Sequence, residues 1–100
     1  MADPEPSPDP TVDDDVAASR FTLRVSGEIV SIADYRIDGD VVTITHVETR
    51  PMSRGNGFAA ALMDGVVRSI RSNGQTIRPL CSYAAAYVRE RPALHSLAAV

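Results

Sequence analysis

The apolar pattern of this 100-residue chain changes period once, and the change falls at a glycine-rich turn, Arg54-Gly55-Asn56-Gly57. From Arg20 onward the residues alternate. Phe21, Leu23 and Val25 fall on one side and Thr22, Arg24 and Ser26 on the other, as in a half-buried strand. Gly27 allows a turn, "EIVSIADYRI" supplies a second strand, and Asp38-Gly39-Asp40 is a hairpin signal before a third, "VVTITHVET". Pro51 and the two glycines end that pattern. Phe58, Ala61, Leu62, Val66 and Ile70 then recur at helical spacing, with Asp64 and Arg68 four apart as an exposed ion pair and Gly74 as the stop. "TIRPL" reads as a short fourth strand, and "SYAAAYVRE" and "PALHSLAAV" as one or two short helices, the second opened by Pro92. The expected order is β-β-β-α-β-α, and no internal repeat is visible.

Charge divides the chain in two. Asp3, Glu5, Asp9, Asp13, Asp14 and Asp15 stand in residues 1–19 without a single base, whereas the remainder holds all ten basic residues, every one an arginine. Residues 1–18, rich in proline and aspartate, cannot bury enough apolar surface to offset their ordering entropy and are expected to form a disordered acidic tail. Residues 19–100 are expected to form one domain with a modest core. Its mild excess of arginine suits a small anionic ligand; a nucleic-acid track would need denser basic clusters interleaved with aromatics. The start is acidic and lacks an apolar segment, no apolar run is long enough for a bilayer, and the single Cys81 allows no internal disulfide. A cytoplasmic protein without membrane contact is the expectation.

A glycine-rich turn between a strand and a helix lets several backbone N–H groups converge at the positive end of the helix dipole, which makes an anion site, most often for phosphate. A plain tight turn is the alternative. A Walker loop requires a lysine, and there is none. Gly55, Gly57 and Ala60 match the dinucleotide fingerprint loosely, but that motif belongs in a parallel βαβ unit with an acid ending the next strand, and "TIRPL" has no acid. The third pattern, Arg/Gln-x-x-Gly-x-Gly/Ala, is met in full by Arg54, Gly55, Asn56, Gly57, Phe58 and Ala59.

On this loop, the Thr45-His46-Val47-Glu48 strand end and the Pro79-Leu80-Cys81-Ser82-Tyr83 segment, the chain resembles the GNAT acetyltransferase superfamily over roughly residues 21–98, and in particular its short stand-alone, YjdJ-type N-acetyltransferase domain. The resemblance implies a compact α/β GNAT-like fold: an antiparallel meander, a phosphate-loop helix, a splayed fourth strand that admits the pantetheine arm, and C-terminal helices. It further implies that Arg54, Gly55, Asn56, Gly57, Phe58 and Ala59 grip the pyrophosphate of acetyl-CoA, the co-substrate, and that no metal is needed. The two helices that wall the acceptor groove in full-sized members have no counterpart here. The acceptor amine, a small molecule or a protein, stays open, as does the choice between a monomer and a small homo-oligomer.

Acetyl transfer needs a deprotonated amine, a polarised carbonyl and a proton for the departing thiolate. Glu48 is the candidate base, directly or through water. His46, two residues earlier, shares its face and also lies in phase with apolar Val42 and Ile44, so it is either a participant or a hydrogen-bonded core histidine. Backbone N–H groups around Val47 and Glu48 would polarise the carbonyl. Cys81 is a possible acyl carrier by the resemblance, with a buried apolar residue as its alternative. Tyr83 is the candidate proton donor to sulfur, while Tyr87 is expected to pack, and Arg54, Arg89 and Arg91 are candidates for the 3′-phosphate. An N-acetyltransferase is the leading expectation. The alternatives are a non-catalytic acyl-CoA binding or sensing module and an interaction domain whose loop is only a turn.

Overall fold

A computed structural model describes residues 10–99. Five strands, β1 (Thr11–Asp15), β2 (Arg20–Val25), β3 (Glu28–Asp38), β4 (Val41–Thr49) and β5 (Thr76–Pro79), form one sheet in sequence order. The first four run antiparallel, and β5 lies parallel to β4 after a crossover through helix α1 (Phe58–Ser72). Ser26 and Gly27, with φ of 51° and 83°, make the two-residue turn between β2 and β3, a left-handed pair that matches strand twist. The meander, loop helix and C-terminal helical segment are as the sequence suggested. The last segment is one α-helix, α2 (Ser82–Arg89), followed by 3-10 turns over Pro92–Leu97.

Helix α1 buries Leu62, Met63, Val66, Val67 and Ile70 against Phe21, Leu23, Ala33, Tyr35, Val42 and Ile44 of the sheet, all within one core that Tyr87 and Val88 of α2 complete. The rings of Phe21 and Tyr35 stand 4.9 Å apart at its centre. The apolar face is thus broader than the five positions first counted, because Met63 and Val67 also turn inward. Its end is built as expected: Gly74, at φ 65°, donates to Arg71 O while Gln75 donates to Ile70 O, the paired bonds of a Schellman stop.

Three expectations need correction. Residues 11–18 are not tail. Thr11–Asp15 is an edge strand registered from Thr11↔Arg24 to Asp15↔Arg20, and Val16–Ala18 is a 3-10 turn; residues 1–9 of the expected tail lie outside the described residues. Composition failed because tertiary contacts that it does not encode hold this strand, with one local cap beside them. Asp14 accepts the Tyr35 hydroxyl at 2.7 Å, Asp15 accepts the Ala18 N–H at 3.3 Å, and Val12 covers Gly65 of α1. His46 does not share the core face of Val42 and Ile44. Tyr35 pairs with Ile44 but Asp34 pairs with His46, so Thr45 is an extra residue, and this β-bulge moves His46 to the other face. Asp64 does not pair with Arg68; it accepts the hydroxyl of Tyr87 and so ties α1 to α2.

Candidate functional site

The site begins at a fork. Pairing between β4 and β5 runs from Val41↔Thr76 to Ile44↔Pro79 and ends there, with the N–H groups of both Leu80 and Cys81 converging on Ile44 O at 3.0 and 3.3 Å. Pro79 supplies no donor, and the chain turns away into α2. Residues 45–49 of β4 therefore continue without a neighbour on that side. Arg50 N donates to Val30 O across the β3 ladder, and alternation along an antiparallel pair then aims Glu48 N–H at β3 and Val47 N–H into the gap. Of the two amides anticipated from sequence, Val47 is the one that faces the fork.

Above the fork lies the loop. Gly55 and Gly57 have φ of 84° and 73°, and a Cβ on either would meet nothing within 4 Å, so glycine is required here by backbone conformation while the space above stays open. Gly57 caps α1 without a side-chain hydrogen bond, and the first intrahelical bond is Ala61 N to Gly57 O at 3.1 Å. The N–H groups of Phe58, Ala59 and Ala60 are thereby left without a helical acceptor at the positive pole of a 15-residue helix whose first turn contains no acid. Asn56 turns back, its amide donating to Ser53 O at 3.1 Å and Arg54 O at 3.4 Å, so it shapes the loop and does not line the cleft. Arg54 Nε donates to Thr49 O at 3.1 Å, which fastens the loop to the strand end.

Loop and fork together enclose a cleft of about 510 Å³. Its walls include His46, Val47 and Glu48 of β4, Arg54, Gly55, Gly57, Phe58 and Ala59 of the loop, and Tyr83 of α2. Nine of the anticipated site residues thus meet in one cavity. His46 Nε2 lies 3.3 Å from Glu48 Oε2, and both side chains are a little over half exposed at 55% and 56%. Burial raises the Tyr83 hydroxyl above its usual range, opposed by Arg91 and assisted by Asp64 and Glu90, so it keeps its proton at neutral pH.

Cys81 stands apart from these. It is half-buried against the core, and its sulfur accepts the Ala84 N–H at 3.4 Å as the N-cap of α2. Of the three candidate phosphate arginines, Arg54 alone lines this cleft. Thr49, Ser53 and Ala60 are wall residues that sequence reasoning missed. Counting the unpaired amides of a helix start would have found Ala60; Ser53 carries no such signal, since only the 3-10 turn over Pro51–Ser53 brings it there. Among the described residues, no three His, Cys, Asp or Glu side chains converge as a metal site would require, and no helix is long and apolar enough to cross a membrane.

A parallel strand pair that parts beneath a glycine loop at a helix start defines an α/β class shared with solved acetyltransferases. The ribosomal-protein-S18-alanine N-acetyltransferase of Escherichia coli superposes with a TM-score of 0.61 at 17% identity, over 71% of this chain and 49% of that one. A GCN5-like protein of Staphylococcus aureus gives 0.64 at 18% identity, over 89% and 87%. N-acetylglutamate synthase of Neisseria gonorrhoeae, solved with coenzyme A and N-acetyl-glutamate, gives 0.59 at 17% identity, over 73% of this chain and 18% of its own. This chain thus spans about half of the E. coli enzyme and less of the synthase. No curated protein matches it significantly in sequence. Residues 20–97 match the family model for GCN5-related N-acetyl-transferase, and the chain belongs to that family.

Proposed function

We propose that this protein binds acetyl-CoA in the loop cleft and transfers the acetyl group to an amine. One observation carries the reading: three unpaired amides at the start of α1 face the same cleft as the Glu48 carboxylate, beside a strand gap with a free Val47 N–H. The amides of Phe58, Ala59 and Ala60, with Arg54, would hold the pyrophosphate. The gap between β4 and β5 is where the pantetheine arm would lie, which sets the thioester carbonyl against Val47 N–H for polarisation. Glu48 would take the proton from the attacking amine, directly or through water, with His46 at 3.3 Å to hold or share it. Tyr83, protonated at neutral pH, would return a proton to the thiolate. Direct attack by the amine is favoured over an acyl-cysteine route, because the Cys81 sulfur is engaged as a helix cap and does not line the cleft.

Calorimetric titration of acetyl-CoA into the wild type and a Gly57→Glu variant tests this reading. The added carboxylate would project into the open space over the loop and repel the phosphates. Left-handed backbone costs a non-glycine residue ~1–2 kcal/mol, so Gly57→Asn, which tolerates that conformation, controls for strain. Binding by wild type and Gly57→Asn but not by Gly57→Glu is the expected result. No heat and no competition at millimolar ligand would remove the acyl-CoA reading.

A further inference from the structure

Glu48 belongs to two hollows. Besides the loop cleft it lines a smaller pocket of about 280 Å³, bounded by Ile29, Ile32, Arg50 and Pro51. The strand register explains how one carboxylate reaches both. Ala33 and Val47 are paired across β3 and β4 and pack into the core, so Ile32 and Glu48, paired next to them, point out of the opposite face of the sheet, away from α1. Directly opposed residues of an antiparallel pair hold their Cβ atoms about 4.5–5.5 Å apart, which sets the Ile32 side chain beside that of Glu48. Ile29 reaches the same face because Val30 is an extra residue in the β2–β3 ladder, where Leu23 pairs with Ser31 and Arg24 with Ile29.

The charges of this pocket are matched except at Glu48. Arg50 donates through Nε to Ser53 Oγ at 3.1 Å and through a terminal nitrogen to Glu28 Oε2 at 3.0 Å, so its charge is neutralised within the fold. Glu48 has only the His46 ring beside it, at 3.3 Å, and no arginine bridges it among the described residues. The other walls are aliphatic, and Ile29 is left 40% exposed. One unmatched carboxylate at the edge of an apolar hollow is complementary to one ammonium group on an apolar body. A second ammonium or a carboxylate would be desolvated there without a partner. The volume is also below the roughly 300–1,000 Å³ of sites for drug-sized ligands.

From this placement we infer that the acceptor is a small primary amine with an apolar body and no second charge, its nitrogen at Glu48 and its body on Ile29, Ile32 and Pro51. The inference rests on the acetyl-CoA reading of the loop cleft and names the acceptor class that reading leaves open. Because Glu48 lines both hollows, an amine held from the far face meets the thioester across β4. The ammonium passes one proton through Glu48 to solvent, and the free amine attacks the thioester carbonyl. The C–N bond forms and the C–S bond breaks. The nitrogen sheds its second proton as the thiolate takes one, so the products are the N-acetyl amide, coenzyme A and one proton.

Acetyl transfer by the full chain, followed by mass spectrometry of the amide products, tests this with four amines at one pH, while calorimetry of acetyl-CoA is run on the same samples. The amines are 3-methylbutylamine, 1,4-diaminobutane with its second ammonium, leucine with its carboxylate, and leucyl-glycinamide as a peptide N-terminus. The wild type is expected to show a kcat/KM for 3-methylbutylamine about tenfold or more above each of the others. Ile32→Thr keeps the β-branch and is expected to raise the KM for 3-methylbutylamine about fivefold, with kcat, the KM for 1,4-diaminobutane and the affinity for acetyl-CoA unchanged. Ile29→Thr, at an exposed position, carries the same expectation if Ile32→Thr does not fold. Acetyl-CoA binding with no preference for 3-methylbutylamine, with a preference for the peptide, or with no transfer to any of the four overturns this inference and leaves the loop site standing. An unchanged KM in both variants overturns it as well. Absence of acetyl-CoA binding removes this inference and the acetyl-CoA reading together.

Discussion

Single side chains separate the chemical roles at this site from the structural ones. Glu48 faces the cleft and Cys81 caps a helix, so substitutions at the two should diverge. Glu48→Gln is expected to lower kcat for acetyl transfer by about 10²-fold or more, with acetyl-CoA affinity unchanged by calorimetry. Cys81→Ser, by contrast, keeps a capping atom and a better acceptor, and should retain both the fold and most of the activity. Cys81→Ala should lose ~0.5–1 kcal/mol of stability in urea unfolding. Abolished transfer in the serine variant, with the fold intact, would instead establish an acyl-cysteine route. Gly65 poses a different contest. Alanine there gains ~1 kcal/mol of helix propensity, yet its Cβ would lie 2.5, 2.6 and 2.8 Å from three atoms of Val12. Overlap with a stiff β-branched side chain costs ~1–3 kcal/mol, so Gly65→Ala should destabilise, and adding Val12→Gly, which removes all three of those atoms, should recover part of the loss.

At the level of elements, β1 is held by contacts that a local reading of the chain does not contain. Sequence alternation located β2, β3 and β4, and the switch to helical spacing located α1, because each buries a face whose period is written in consecutive residues. Thr11–Asp15 has only Val12 to bury and depends on Gly65 and Tyr35, both far along the chain, for its side-chain anchors. The Tyr35 anchor gives this strand a pH signature. Burial, then the bond to Asp14, pushes the Tyr35 hydroxyl up from 10.0 to about 12. The folded state therefore keeps a proton that the unfolded chain releases, so the stabilisation is complete below pH 10 and is lost as pH rises toward 12. Tyr87 is displaced in the same direction by burial and by Asp64. Urea midpoints should fall between pH 8 and pH 11 in the wild type, and the fall should be smaller in Tyr35→Phe and smallest in Tyr35→Phe/Tyr87→Phe.

For the whole molecule, ligand binding and folding are linked by mass action. Acetyl-CoA at one hundred times its Kd should add ~2.7 kcal/mol to stability, which in a domain of this size raises Tm by roughly 10 °C or more. A thermal melt should show a shift that grows with ligand concentration and is absent in Gly57→Glu. By itself, the sequence determined the strand–loop–helix unit and its family. Apolar period, turn glycines and the Arg54-to-Ala59 pattern are local properties that survive being read in one dimension. It also brought Glu48 and the loop into one site, since only a short connection separates them in the chain. What tertiary structure alone decided depends on neighbours distant in sequence. The bulge at Thr45 takes His46 off the core face, a consequence of how β3 and β4 register. The fork opens where Pro79 stops pairing with Ile44, the acids at 13 to 15 become an edge strand, and Asp64 crosses to Tyr87. Each of these is settled by a partner in another element of the fold, whose position no local periodicity encodes.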